Sequence, residues 1–142
     1  MEARLADISV LQIDPKTGVI SLGLGRGTKS VSGITLLAQI VALEFLKNPG
    51  RDVFDPESGS GLRSAIGQYN LSNADEIRIL VIQKARAVEK SVMASQAAGI
   101  GAPSENLKKL DIIDVAVDEI NAKVLIRVQV TNETGEVTDI LI

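Results

Sequence analysis

A chain of 142 residues with a formal net charge of −3, no histidine and no cysteine is long enough to bury about two-thirds of its unfolded surface in one core without a metal or disulfide staple. The missing side chains exclude thiol and imidazole chemistry and the usual zinc or iron ligand sets, leave only all-oxygen metal sites, and fit a chain made in a reducing compartment. Negative charge disfavours a nucleic-acid partner, and two phenylalanines and one tyrosine offer little with which to stack bases or line an enzyme pocket.

The first residues, MEARLADISV, place no apolar run behind a basic cluster and do not read as a secretory signal. Ile8 to Ile13 and Val19 to Leu24 show apolar alternation around Asp14-Pro15-Lys16-Thr17-Gly18, which predicts a β-hairpin. Gly23 to Gly33, rich in glycine and hydroxyl residues, reads as a loop. Ile34, Leu37, Ile40, Val41, Phe45 and Leu46 recur at helical spacing, and Leu36 and Leu43 widen the apolar arc, so a helix buried on several sides is expected. That apolar window, broken by Gln39 and Glu44, is too short to span a bilayer, and no membrane association is expected.

Lys47-Asn48-Pro49-Gly50 stops the helix, because proline lacks the amide donor and glycine tolerates positive φ. Asp55-Pro56 starts a second turn, and Gly59 and Gly61 flank Ser60 where the backbone can take φ > 0 or lie against another chain. Leu62 to Tyr69 predicts a short helix. Ser72 to Glu76 supplies N-cap residues, with Asn73 and Glu76 spaced as a capping box. A long helix follows to about Ala98, with Ile77, Leu80, Val81, Val88 and Val92 as its apolar stripe and Arg78, Lys84, Arg86, Glu89 and Lys90 on its remaining faces.

Ala97 to Pro103 is a breaker-rich loop, and Asp111 to Val117 carries short apolar runs. Val124, Ile126, Val128 and Val130 alternate with Leu125, Arg127, Gln129 and Thr131 as a half-buried strand. The turn Asn132 to Glu136 leads to an antiparallel partner, Val137 to Ile142. Ile140-Leu141-Ile142 either packs on the core or forms an edge that takes a neighbouring strand. The order predicts a small single α+β domain in three stretches: hairpin and glycine-rich loop (1–33), two main helices with the Pro/Gly turn segment (34–98), and loop with C-terminal antiparallel sheet (99–142).

The chemical signals are weak. Gly23 to Ser30 ends in Thr-Lys-Ser where a phosphate-cradling loop needs Gly-Lys-Ser/Thr, and Thr28 replaces the glycine that lets backbone amides wrap a phosphate. No strand–helix–strand unit supports a dinucleotide reading either. Glu44, Asp55 and Glu57 could pair as glycosidase carboxylates, but the turn context gives Asp55 and Glu57 backbone-bonding roles instead. A hydrolase using Glu44, Glu57 or Lys29 is therefore the alternative reading, a generic adaptor a third, and no catalytic set or cofactor is expected.

The run from Leu43 to Leu62, LEFLKNPGRDVFDPESGSGL, resembles the baseplate wedge family of contractile phage tails, which includes the sheath initiator and has a relative in type VI secretion baseplates. Pro49, Gly50, Pro56, Glu57, Gly59, Ser60, Gly61 and Leu62 carry the likeness, which extends from about Ile34 to the C-terminus. The family's Glu-Pro-Arg element is matched only by Glu89, with Lys90 and Ser91 in the other places, so the long helix is expected to run on there. Ser95 to Leu110 stands as an insertion.

The resemblance implies a structural, non-enzymatic virion protein, assembled in the host cytoplasm in several copies around a ring. Its partners would be other wedge proteins, the tail sheath protein and the tail tube or hub. Pro49, Gly50, Asp55, Pro56, Gly59 and Gly61 would form a rigid turn at the interface, Glu89 and Lys90 would pair with a partner, and Val137, Ile140, Leu141 and Ile142 would present the sheet edge for the sheath. Removal of Asp139 to Ile142 is then expected to spare wedge binding and prevent sheath polymerisation.

Overall fold

The computed structural model describes residues 7–8, 11–13, 20–22, 30–50, 53, 59–68, 72–97, 99 and 101–142. Its order is β1 (Asp7–Ile8), β2 (Leu11–Ile13), β3 (Ile20–Leu22), β4 (Ser30–Val31), α1 (Gly33–Leu46), α2 (Leu62–Ile66), α3 (Ala74–Gln96), β5 (Leu107–Asp118), β6 (Lys123–Asn132) and β7 (Val137–Leu141). The domain is α+β, as its sequence pattern predicts. The N-terminal stretch departs from a simple hairpin. Leu11–Ile13 pairs with Ile20–Leu22, but Asp7 and Ile8 pair outside it with Val31 and Ser30. Ser30 and Val31 thus form a strand where a loop was expected.

Helix α1 buries Leu36, Leu37, Ala38, Val41, Ala42 and Phe45 on several sides, but Leu43 and Leu46 of the expected apolar arc are 40% and 44% exposed. Ser32 at its start makes no side-chain cap bond. Glu105 reaches across instead, its Oε1 3.5 Å from the Gly33 amide, where the positive helix end favours a carboxylate. Helix α3 buries Ile77, Leu80, Val81, Val88 and Val92, with Ala85 completing the stripe, and continues without a break through Glu89-Lys90-Ser91. Asn73 precedes it as expected, yet its side chain makes no cap bond, so the capping box does not form. Helix α2 ends at Ile66, short of Tyr69, with Gly67 as its cap.

Strands β5, β6 and β7 form an antiparallel sheet in that order, with α3 packed against β5 and α1 against β6 and β7. Ile126, Val128 and Val130 point into the core, while Leu125 and Arg127 face away. Strand β5 is longer than its apolar runs suggest. Its core residues Leu107, Leu110 and Val115 stand at odd spacings, which a strict two-residue period would place on opposite faces. Two register shifts, at Leu107/Lys109 and Ile112/Asp114, restore the inward direction by inserting a residue each.

Both sheet turns are held by side chains. Asn132, 0% exposed, accepts the Glu136 amide at 2.8 Å through Oδ1 and donates from Nδ2 to Ser104 O at 3.0 Å. At the other turn, Asp118 accepts the Asn121 side-chain amide at 2.7 Å and the backbone amides of Ile120 and Asn121 at 3.1 and 3.2 Å. These donors, the Asn121 side chain foremost, hold its carboxyl below the ordinary value of 3.8, because they favour the charged form.

A depressed folded value means that this contribution is complete above the unfolded Asp pKa and is lost as pH falls through the folded one. In an NMR acid titration, the Ile120 and Asn121 amides should shift together below pH 3.8, and Asp118→Asn should remove that step. A step at or above the ordinary Asp value would contradict the bonding described.

Candidate functional site

Three surfaces contain the described residues among those singled out by sequence: the turn after α1, the contact between α3 and β5, and the side of β7 away from β6. The turn is stapled to the helix it follows. A helix leaves its last carbonyls without intrahelical donors, and here Ser60 and Gly61 supply them. Ser60 N donates to Glu44 O at 3.1 Å, Gly61 N to Lys47 O at 3.2 Å, and Ser60 Oγ to Phe45 O at 2.6 Å. Ser60 Oγ also accepts the Leu62 amide at 3.1 Å, which sets the entry of α2.

Glu44 reinforces the staple from the side. Its Oε1 accepts the Gly59 amide at 2.8 Å and Ser91 Oγ at 3.0 Å, while Lys47 Nζ stands 3.9 Å from Oε2. The carboxylate considered for hydrolysis thus ties α1, the turn and α3 together. Gly50, Gly59 and Gly61 all have positive φ, at +84°, +108° and +63°, and Pro49 Cδ lies 3.3 Å from where a Cβ on Gly61 would stand. Asp55 and Pro56, together with Glu57 and Lys29, lie outside the described residues.

Glu89 has a structural partner within the chain. Its Oε2 accepts the Leu110 amide at 2.8 Å, and Arg86 Nη1 bridges the carboxylate, at 3.2 Å from Oε2, and Leu110 O, at 3.1 Å. Both outward-facing backbone groups of Leu110 are satisfied by charged side chains of α3. Farther along, Gln96 Oε1 accepts the Leu107 amide at 2.7 Å and its Nε2 donates to Glu105 O at 2.9 Å. Helix α3 thereby seals the first half of the outer edge of β5. Lys90 is exposed.

Removing the Glu89 acceptor strands a part-buried amide, which costs about 1–3 kcal/mol. Glu89→Ala should therefore lower stability by that amount in urea denaturation, and Glu89→Gln, which keeps an acceptor, by less. Equal losses would assign the effect to the ion pair with Arg86 alone.

The opposite edge of the sheet differs. Ile126 and Ile142 exchange both backbone bonds, at 2.8 and 2.9 Å, and Asn132 N donates to Glu136 O at 3.0 Å. Antiparallel pairing alternates bonded and non-bonded pairs, so with the register Val128↔Ile140 and Val130↔Thr138, these even-numbered residues of β7 bond inward to β6. The amides and carbonyls of Val137, Asp139 and Leu141 consequently point away from the sheet, and among the described residues no strand pairs with β7 on that side.

The side chains of the last strand divide in the same way. Ile140 is 0% exposed in the core and Val137 is 52% exposed, while Leu141 and Ile142 are half-buried. Ile142 meets Phe45 and Leu62 across a groove, so the end of the sheet and the start of α2 are neighbours. Glu89 belongs to the other side of the sheet, at β5.

Among the described residues no group of three or more acidic side chains is placed to hold a metal ion, and no helix is long and apolar enough to cross a membrane. No family model, curated protein or solved structure matches the chain. Sequence reading missed Arg86, Ser91, Gln96 and Asn132, whose bonds join distant segments. Their only local signal was a polar residue beside an apolar stripe or at a turn.

Proposed function

We propose that this chain is a structural baseplate wedge subunit of a contractile phage tail, which joins wedge partners and initiates sheath assembly by strand pairing. The observation that carries the proposal is the asymmetry of the sheet. The β5 edge is sealed at Leu107 and Leu110 by α3, whereas β7 presents the backbone groups of Val137, Asp139 and Leu141 outward. An added strand gains directional backbone bonds there, each about 0.5–1.5 kcal/mol net.

The resemblance of residues 43–62 to the wedge family supports the same reading, and the bonds of residues 59–61 to the end of α1 hold the two ends of that segment together. Work is done through interfaces with wedge proteins, sheath and the tail tube or hub, in several copies, without bond chemistry. Added in substoichiometric amount to purified sheath protein of the same particle, the chain should shorten the lag of sheath polymerisation. An unchanged lag, with no co-sedimentation of the two proteins, would overturn the proposal.

A further inference from the structure

The seal that α3 places on the outer edge of β5 stops partway along the strand. Gln96 bonds the Leu107 amide, and Glu89 and Arg86 bond the amide and carbonyl of Leu110. Toward the start of the helix, Ile82 and Arg78 follow, and they line a groove of about 230 Å³ with Ile112, Ile113, Asp114 and Val115. An isoleucine side chain has no bond to offer a strand. Ile126 directs both its backbone groups to Ile142, so Val115 and Val117, which stand opposite Ile126 and Val124, direct theirs away from β6. Among the described residues nothing bonds to them on that side.

The same stretch exposes Ile79, Ile82 and Ile113, Ile79 and Ile82 being neighbours on the helix surface. Arg78 and Asp114 are exposed as well, and neither has an ion-pair partner among the described residues. An unpaired edge, apolar side chains beside it and two opposite charges in one groove make a surface able to complement itself, because a twofold axis sets residue i of one copy against residue j of the other and j against i.

We propose that this face is a contact between two copies of the chain, in which β5 pairs antiparallel with β5 of the second copy about a twofold axis at Val115. Val115 then exchanges both backbone bonds with its counterpart, and Asp114 falls opposite Ala116. A register centred on Ala116 would instead set Asp114 against Asp118, and like charges directly opposed are destabilising. The exposed isoleucines pack across the axis, and Arg78 of each copy meets Asp114 of the other. The proposal is independent of the baseplate reading, because it needs a second copy of this chain and no sheath or wedge protein.

The test is sedimentation equilibrium of the full chain from about 10 µM to about 1 mM, the range in which a small interface associates, with an amide NMR dilution series beside it. The wild type should pass from monomer to dimer, with concentration-dependent shifts at Val115, Val117 and Ile82. Arg78→Asp and Asp114→Arg should each weaken the dimer about fivefold or more, since each sets two like-charged pairs across the axis, and an equimolar mixture of the two variants should associate again, every acid then facing an arginine. Both positions are exposed, so neither change disturbs the core. A monomer at every concentration would overturn the proposal. So would shifts confined to Val137, Asp139 and Leu141, which would put the contact at β7, or a mixture that associates no more tightly than either variant alone.

Discussion

Gly59→Ala should lower the unfolding free energy by about 2–4 kcal/mol, a large effect for a single methyl group. Gly59 has a φ of +108°, and a Cβ there would stand 2.6 Å from Lys47 O and 2.9 Å from Lys47 C. The obstacle is backbone, so no side chain can swing aside. Moving Lys47 would pull its carbonyl from the Gly61 amide, and moving residue 59 would break its bond to Glu44.

Gly50→Ala is the control. Its φ of +84° is also unfavourable to a side chain, yet among the described residues nothing lies within 4 Å of the added Cβ, so a backbone term of about 1 kcal/mol is expected. Urea denaturation of both variants reads the difference. Equal, small losses would mean that residues 59–61 are not held against the end of α1.

Asp139→Pro should leave the fold nearly intact and, under the function proposed above, abolish the shortening of the sheath-polymerisation lag, whereas Ile140→Pro should unfold the sheet. The contrast follows from the direction of each amide. Asp139 N points away from β6, where proline removes a donor that pairs with no strand among the described residues and places its ring in the path of an incoming strand. Ile140 pairs with Val128 and is buried in the core, so proline there loses a ladder bond and core packing, about 3 kcal/mol or more.

This pair is sharper than removal of Asp139 to Ile142. That truncation also takes Ile140 from the core and Ile142 from Ile126, so it confounds the edge with the fold. Sheath initiation is read by polymerisation lag and stability by denaturation. A folded Asp139→Pro protein that still initiates sheath would show that β7 is not the pairing edge.

The helices and β6 were legible because each is governed by a local period. The stripe Ile77, Leu80, Val81, Val88 and Val92 is buried as a unit, and the alternation from Val124 to Thr131 corresponds to a strand with one inward face. Strand β5 was legible only in part, because its bulges break the two-residue period and Lys108 and Lys109 interrupt its apolar start. Asn73 and Glu76 have the right spacing for a capping box, but spacing alone does not make the bond.

Roles set by distant contacts were hidden. Glu44 looked like an interruption of an apolar helix or a candidate acid, and its partners Gly59 and Ser91 lie 15 and 47 residues away. Glu89 matched one letter of a family element, yet its carboxylate meets Leu110, 21 residues on, across a loop whose path no local pattern gives. The positive φ of Gly59 and Gly61 was legible from the glycines themselves, whereas the helix carbonyls that bond to this turn were not.

The most direct measurement is a pull-down of the tagged full chain from cells producing the whole particle, with mass spectrometry of what stays bound after a high-salt wash. The account predicts wedge and sheath proteins on the wild type, and wedge proteins without sheath on Asp139→Pro. A wild-type chain recovered alone as a monomer would contradict it.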